Sequence, residues 1–134
     1  MGPLPKTLSG KRYIIVAMDY FSRWPEARAI EATNSETVVT FIYEKIICRF
    51  GTPKVIQSDQ ETHFVNEVIK HLIEKFRIRY SLSSPYYPQS NGLVERFNKT
   101  LCNGIAKVAK TIQEWDSYIA PVLFVYRVKK LRIS

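Results

Sequence analysis

Two carboxylates stand out by their position in the chain. Asp59 ends a short apolar strand, and Glu95 lies in the first turn of a predicted helix, just after a loop rich in Pro, Ser, Asn and Gly. Ligands collect at the carboxyl ends of strands in open α/β sheets, so the pair can mark a ligand site. Each residue also has a structural alternative. Glu95 can stabilise a helix dipole, and Asp59 can cap the helix that follows it.

The elements that must position these carboxylates alternate between strand and helix. Apolar residues recur at strand spacing and at helix spacing, which predicts the order β-β-α-β-α-β-loop-α-α and an α/β fold. A short turn joins the first two strands, so we expect them to be antiparallel. The predicted strands are Tyr13–Met18, Glu26–Ile30, Val55 to Ser58 or Asp59, and Ile78–Leu82; the predicted helices run from Asn34 or Ser35 to Gly51 and over Val65–Phe76, Leu93–Val108 and Ile112–Tyr126, with a loop at Ser83–Gly92.

The composition is that of one globular domain with a positive surface. The 134 residues carry a formal net charge of +8, and 46% of them are hydrophobic. These values exclude an acidic disordered chain. We find no apolar run that predicts a membrane span and no secretory signal. The basic excess points to a polyanionic partner, most often nucleic acid, although many soluble proteins are basic for other reasons.

The cysteines and histidines do not suggest a metal site. Cys48 and Cys102 lie far apart in the chain, which excludes a disulfide scaffold and a Cys-rich zinc site. We expect both thiols to be reduced inside a cell. His63 and His71 have no cysteines nearby, and we expect neither to be a metal ligand.

Two motifs resemble those of retroviral and retrotransposon integrases. Residues 58–64, Ser-Asp-Gln-Glu-Thr-His-Phe, are similar to the family's Ser-Asp-x-Gly-x-x-Phe motif, with Glu61 in place of its glycine. Residues 85–99 are similar to its Pro-Tyr-x-Pro-Gln-x-x-Gly-x-x-Glu loop and helix. Thirty-five residues separate Asp59 from Glu95, which is the spacing of the family's second Asp and its Glu. Residues 2–5 and 20–27 further resemble gypsy-type LTR retrotransposons, a class of transposable element.

The resemblance implies a ribonuclease-H-like mixed sheet flanked by helices, in an enzyme that integrates DNA by strand transfer. In the family's DDE motif, two Asp and one Glu hold two Mg²⁺ or Mn²⁺ ions, and Asp59 and Glu95 match two of these catalytic metal ligands. Carboxylate oxygens suit such hard cations, and a metal pair can activate the attacking oxygen and stabilise the leaving one. The implied partners are element and target DNA and further copies of the chain, in a homodimer or larger assembly, in the nucleus. No membrane and no small-molecule substrate is implied.

Five further residues match positions that contact DNA in the family. Tyr86, Gln89 and Asn91 lie in the stretch that resembles the flexible active-site loop. Tyr86 can stack on a base or simply pack the loop. Lys99 follows the matched glutamate by one helical turn and can meet a phosphate. Arg96 is another candidate, with an ordinary solvated helix face as its alternative.

The family's first catalytic Asp has no match. It stands upstream of the glycine that matches Gly2, on a central strand, and this chain begins at Met1. We therefore expect a truncated strand and an isolated chain of marginal stability, because Pro3 and Pro5 cannot rebuild a central strand and its neighbours would keep unpaired backbone groups. Asp19 is a possible replacement ligand, but we interpret it as the residue that organises the turn after the first strand.

Two interpretations follow from this comparison. In the first, residues 1–134 are an integrase catalytic core that is truncated at both ends and lacks the zinc-binding and C-terminal DNA-binding domains. The alternative is a catalytically dead, domesticated or fragmentary module that keeps DNA binding. Such a module can also act through the family's dimer surface, which we expect at residues 43–49 and 115–126.

Overall fold

A computed structural model describes residues 1–58, 70, 72, 74–82 and 88–130. Strands and helices both occur, which confirms the predicted α/β class, and none of the described helices is both long and apolar enough to cross a bilayer. In chain order the elements are β1 (Tyr13–Met18), β2 (Pro25–Ile30), α1 (Ser35–Phe41) with a π-helical continuation (Ile42–Ile47) and a last turn (Cys48–Phe50), β3 (Val55–Ser58), β4 (Arg79–Leu82), α2 (Pro88–Val108), a 3₁₀ helix (Ile112–Tyr118) and α3 (Ile119–Lys130).

The chain divides into two compact units. Residues 1–32 and 92–134 form the first, and residues 33–91 form the second. The first unit opens with the predicted antiparallel hairpin, in which β1 pairs with β2 from Tyr13 opposite Ile30 to Met18 opposite Pro25. β-Branched and aromatic residues are frequent in β1, and they favour a pleated, half-buried strand.

The segment before β1 lies along its outer edge without forming a strand. The N–H of Ile14 donates to the carbonyl of Met1 at 3.0 Å, and the N–H of Leu4 donates to the carbonyl of Arg12 at 2.6 Å. Pro3 has no N–H with which to extend this ladder. The described strands form two separate two-stranded sheets, so the single mixed sheet that the resemblance implies is not formed by them and stays a prediction.

The core of the first unit lies between the hairpin and the helices. Ile14 and Ala27 of the hairpin belong to one buried cluster with residues of α2, the 3₁₀ helix and α3. Burial of each large apolar side chain contributes about 1.5–3 kcal/mol, so this cluster holds the helices against the strands. Its helical members are Phe97, Leu101, Ile105, Trp115, Ile119 and Leu123.

The predicted helix over residues 112–126 consists of two parts. A 3₁₀ helix precedes Ile119, where α3 begins. Pro121 accounts for the position of this change, because proline has no N–H to donate. In the first turn of an α-helix the N–H has no partner within the helix, so Pro121 is tolerated there.

The second unit contains α1 and the strands β3 and β4. As predicted, Asn34 caps α1: its Oδ1 accepts hydrogen bonds from the N–H of Thr37 at 2.9 Å and from the hydroxyl of Thr37 at 2.8 Å. The helical stretch ends, also as predicted, at Gly51, whose φ of 89° lies in the region that favours glycine.

Strands β3 and β4 pair in parallel, with Val55 opposite Arg79 and Ser58 opposite Leu82. Between them, most of the predicted helix Val65–Phe76 lies outside the described residues, but its described positions from Lys70 to Lys75 are helical.

Candidate functional site

Helix α2 begins earlier than the sequence predicts. It starts at Pro88, inside the predicted loop Ser83–Gly92, so the boundary that we expected at Leu93 is wrong. The density of Pro, Ser, Asn and Gly favours a loop, but proline also suits the first position of a helix, because its φ is already helical. Glu95 therefore lies in the third turn of α2 and not in the first.

This position weakens the structural alternative for Glu95. The effect of the helix dipole falls off within the first turn, so a carboxylate in the third turn gains little from it. Glu95 is also exposed. The helix dipole thus does not account for an acid at this place.

The buried face of α2 sets the direction of Glu95. Phe97, Leu101 and Ile105 repeat at helical spacing, and their exposed fractions are 3%, 0% and 7%. A helix that is held by such a row cannot rotate about its axis without exposing it. The opposite face therefore stays turned to solvent, with Glu95 at its edge.

Two predicted DNA contacts lie on this solvent face. Arg96 and Lys99 are exposed, and neither pairs with a carboxylate among the described residues. The sequence contains no Asp or Glu between Glu95 and Glu114, so the face carries a net positive charge. Such a face can contact phosphates.

Lys107 extends the same face and was missed by our sequence reasoning. It is exposed, and it follows Arg96 by eleven residues, which places both on one side of α2. Since each residue of an α-helix adds about 1.5 Å, the row from Arg96 to Lys107 spans about 16 Å. The sequence signal that could have identified Lys107 is the recurrence of cations at helical spacing.

The remaining predicted site residues are described only in part. Asp59 and Tyr86 lie outside the described residues, so no distance from Asp59 to Glu95 follows; Asp59 is the residue after β3 in the sequence. Gln89 and Asn91 belong to the first turns of α2, which corrects their expected place in a loop, and their side chains are outside the description.

Asp19 organises its turn, as we interpreted it. Its Oδ1 accepts a hydrogen bond from the N–H of Phe21 at 3.2 Å, and its Oδ2 accepts one from the hydroxyl of Ser22 at 2.8 Å. The carbonyl of Asp19 also accepts from the N–H of Arg23 at 2.8 Å. Both carboxylate oxygens thus already have partners inside the turn.

The described residues do not by themselves assemble a metal site. Within them, no three His, Cys, Asp or Glu side chains come close enough together to share an ion. The carboxylate of Glu95 is a ligand that suits Mg²⁺, but within the described residues it belongs to no cluster of three such side chains.

The expected interaction surface is partly core. Trp115 and Leu123 are buried, so these members of the 115–126 segment hold the first unit together. Phe124 is exposed on α3 and Tyr43 on the π-helical stretch. A hydrogen bond with Cys48 raises the pKa of Tyr43, so its phenol stays neutral at physiological pH.

Comparison with known proteins identifies a family. The family model described as "Integrase core domain" matches residues 3–88. The Gag-Pol polyprotein of Walleye dermal sarcoma virus is 35% identical over 117 residues, which are 86% of this chain and 7% of the viral protein.

Two further relatives agree with this match. The Gag-Pol polyprotein of Avian reticuloendotheliosis virus is 38% identical over 115 residues, covering 85% of this chain and 10% of its own length. The Pol polyprotein of Feline endogenous virus ECE1 is 39% identical over 117 residues, which are 86% of this chain and 11% of the viral protein. The chain thus spans about a tenth or less of the length of these relatives.

Proposed function

Because the chain belongs to the integrase core domain family, we propose that it is the catalytic core of an integrase, which joins retroelement DNA to target DNA by metal-dependent strand transfer. The similar proteins are retroviral polyproteins. The narrower origin from a gypsy-type retrotransposon is part of the proposal, and it rests on residues 2–5 and 20–27. A homodimeric or larger assembly and a nuclear location are also part of the proposal.

The observation that carries the proposal is the placement of Glu95. Its carboxylate is exposed in the third turn of a helix whose opposite face is buried, and the adjoining solvent face carries Arg96 and Lys99, which pair with no carboxylate in the described part of the chain. The helix dipole does not explain an acid in that position. A carboxylate beside cations suits a site that must hold a metal ion and a phosphate together.

In the proposed site, Asp59 and Glu95 hold Mg²⁺ or Mn²⁺ with a third acidic residue. When bound, the ions would supply a nucleophile of lowered pKa and a stabilising charge on the leaving oxygen. The chain's own cations orient the DNA: Lys99 and Arg96 bind phosphates next to the reacting bond. Gln89, Asn91 and Tyr86 complete the proposed contacts from the start of α2 and the stretch before it.

A second candidate is a DNA-binding module without catalysis. The observation that favours it is the role of Asp19, whose two carboxylate oxygens accept hydrogen bonds from the N–H of Phe21 and the hydroxyl of Ser22 and so stabilise the turn after β1. In this case the basic face of α2, formed by Arg96, Lys99 and Lys107, still binds DNA, and Asp59 and Glu95 have no catalytic role.

A strand-transfer assay distinguishes the two candidates. We would incubate the protein with element-end DNA and a labelled target in Mg²⁺ or Mn²⁺, with Asp59→Asn and Glu95→Gln as test variants. Glu114→Gln is the matched control, because Glu114 is an exposed glutamate elsewhere in the first unit. The enzyme proposal expects metal-dependent products that both test variants lose and the control keeps.

The other outcomes are equally informative. Salt-sensitive DNA binding by a folded protein without any product would favour the second candidate. Products that persist in both test variants would contradict the assignment of Asp59 and Glu95, and a folded protein that neither binds nor joins DNA would contradict both candidates.

A further inference from the structure

The first unit contains a cleft of about 380 Å³ that no part of the proposed DNA function uses. Ile14, Ile105 and Trp115 line its inner side, and Leu4 and Pro5 line it from the segment before β1. Its volume falls in the usual range of small-molecule sites, about 300–1,000 Å³.

Hydrogen bonds hold the walls of this cleft in place. The indole N–H of Trp115 donates to the carbonyl of Pro5 at 2.6 Å, and the N–H of Leu4 donates to the carbonyl of Arg12 at 2.6 Å. The N–H of Leu8 donates to the carbonyl of Gln113 at 3.1 Å, which ties the same segment to the 3₁₀ helix. A cleft with fixed walls loses little entropy when it takes a ligand.

The cleft combines apolar walls with a neutral thiol and one cation. Cys102 lines it half-buried, and burial raises the pKa of the thiol, so the sulfur stays protonated at neutral pH. Lys110 is an exposed residue of the lining, and it pairs with no carboxylate among the described residues. The only formal charge among the lining side chains is therefore positive.

We propose that this cleft binds a small molecule that joins an apolar body of aromatic size to one anionic group. The apolar body lies against Ile14, Ile105 and Trp115, and the anion pairs with Lys110. Charge complementarity selects the anion, because an apolar site whose one charged lining residue is a lysine favours a ligand of opposite charge. The proposal does not rest on DNA binding or strand transfer.

The test uses two probes of nearly equal shape, 2-naphthoate and the uncharged 2-naphthamide. Each is titrated into ¹⁵N-labelled protein while the two indole N–H resonances are followed. Trp115 lines the cleft, and its resonance should shift saturably. Trp24 is the internal control, because it does not line the cleft; its indole N–H donates to Glu26 with a hydrogen-bond length of 3.0 Å.

Two substitutions locate the site. Ala106→Phe fills the cleft from its α2 side and should weaken naphthoate binding at least tenfold, while Ala120→Phe, at an exposed alanine of α3 that does not line the cleft, should leave it unchanged. Lys110→Gln should weaken naphthoate by up to about fivefold and leave naphthamide unchanged, as expected for one exposed charge pair. Lys107→Gln is the control for Lys110→Gln: Lys107 does not line the cleft, so this substitution should leave naphthoate binding unchanged.

The proposal is overturned by any of three results. These are no saturable shift of the Trp115 resonance at millimolar naphthoate, equal affinity for acid and amide in the unsubstituted protein, or binding that Lys110→Gln does not change. The acid–amide comparison needs no variant, so the test remains decisive if Ala106→Phe does not fold.

Discussion

The carboxylate of Glu26 and the guanidinium of Arg127 form an ion pair of 2.9 Å that joins β2 to α3. Only 4% of the Glu26 side chain and 19% of the Arg127 side chain are exposed. Arg127 also donates to the carbonyl of Pro25 at 2.6 Å and lies 4.6 Å from the ring centre of Trp24. The last helix is thus attached to the hairpin by a network that is largely closed to water.

Removal of one partner from this ion pair should lower the stability of the fold. We expect Glu26→Gln to lower the free energy of unfolding by about 3 kcal/mol, because a buried guanidinium without its counter-charge keeps the cost of desolvation. Urea unfolding with an unchanged m-value measures this loss.

Glu31→Gln is the matched control for that experiment. Glu31 lies 3.9 Å from Lys11 in a pair whose Glu31 side chain is 67% exposed. Exposed pairs contribute at most about 1 kcal/mol. Equal losses in the two variants would show that the Glu26–Arg127 pair is not closed to water.

A second prediction concerns the core under the candidate site. Leu101 is fully buried on the face of α2 opposite its cations, so Leu101→Ala should cost about 3 kcal/mol through the cavity that it leaves. Val108→Ala, at a half-exposed position of the same helix, should change the unfolding free energy by no more than about 0.5 kcal/mol. Thermal unfolding of both variants checks the orientation of α2, since similar losses would mean that this face is not buried.

Local signals predicted much of the fold. The β1–β2 hairpin, the cap at Asn34 and the stop at Gly51 each depend on residues that are close in sequence, and each was confirmed. The start of α2 was wrong because Pro88 is compatible with both a loop and the first position of a helix. The Glu26–Arg127 pair left no sequence signal, because its partners meet only after the chain has folded.

The candidate site, too, was predicted only in part from the sequence. Helical spacing predicted a helix that contains Glu95, and the structure confirms it in α2. Motif spacing linked Asp59 to Glu95, but spacing along a chain does not determine a distance in space, and Asp59 is outside the described residues. The metal site therefore remains a proposal.

A third prediction concerns the basic face of α2. If Arg96, Lys99 and Lys107 each contact a phosphate, the logarithm of DNA affinity should fall steeply with the logarithm of salt concentration, with little dependence on sequence. Each Gln substitution should reduce that slope by about one. Fluorescence anisotropy with duplex DNA at several salt concentrations measures it.

The control for the salt series is Lys11→Gln. Lys11 already has an acidic partner in Glu31, so its removal should leave the slope nearly unchanged. Slopes that are insensitive to all three α2 substitutions would show that DNA binds elsewhere on the chain.

The last prediction separates the two roles considered for Asp19. Asp19→Ala removes the acceptors for the N–H of Phe21 and the hydroxyl of Ser22, and should lower the unfolding free energy by about 1–2 kcal/mol. Asp19→Asn keeps one amide oxygen as an acceptor and should restore part of that stability. Neither variant should alter Mn²⁺ affinity, measured by isothermal titration calorimetry on the folded protein. A loss of Mn²⁺ binding in Asp19→Asn at retained stability would instead identify Asp19 as a metal ligand, because the amide keeps the turn but not the charge that a hard cation requires.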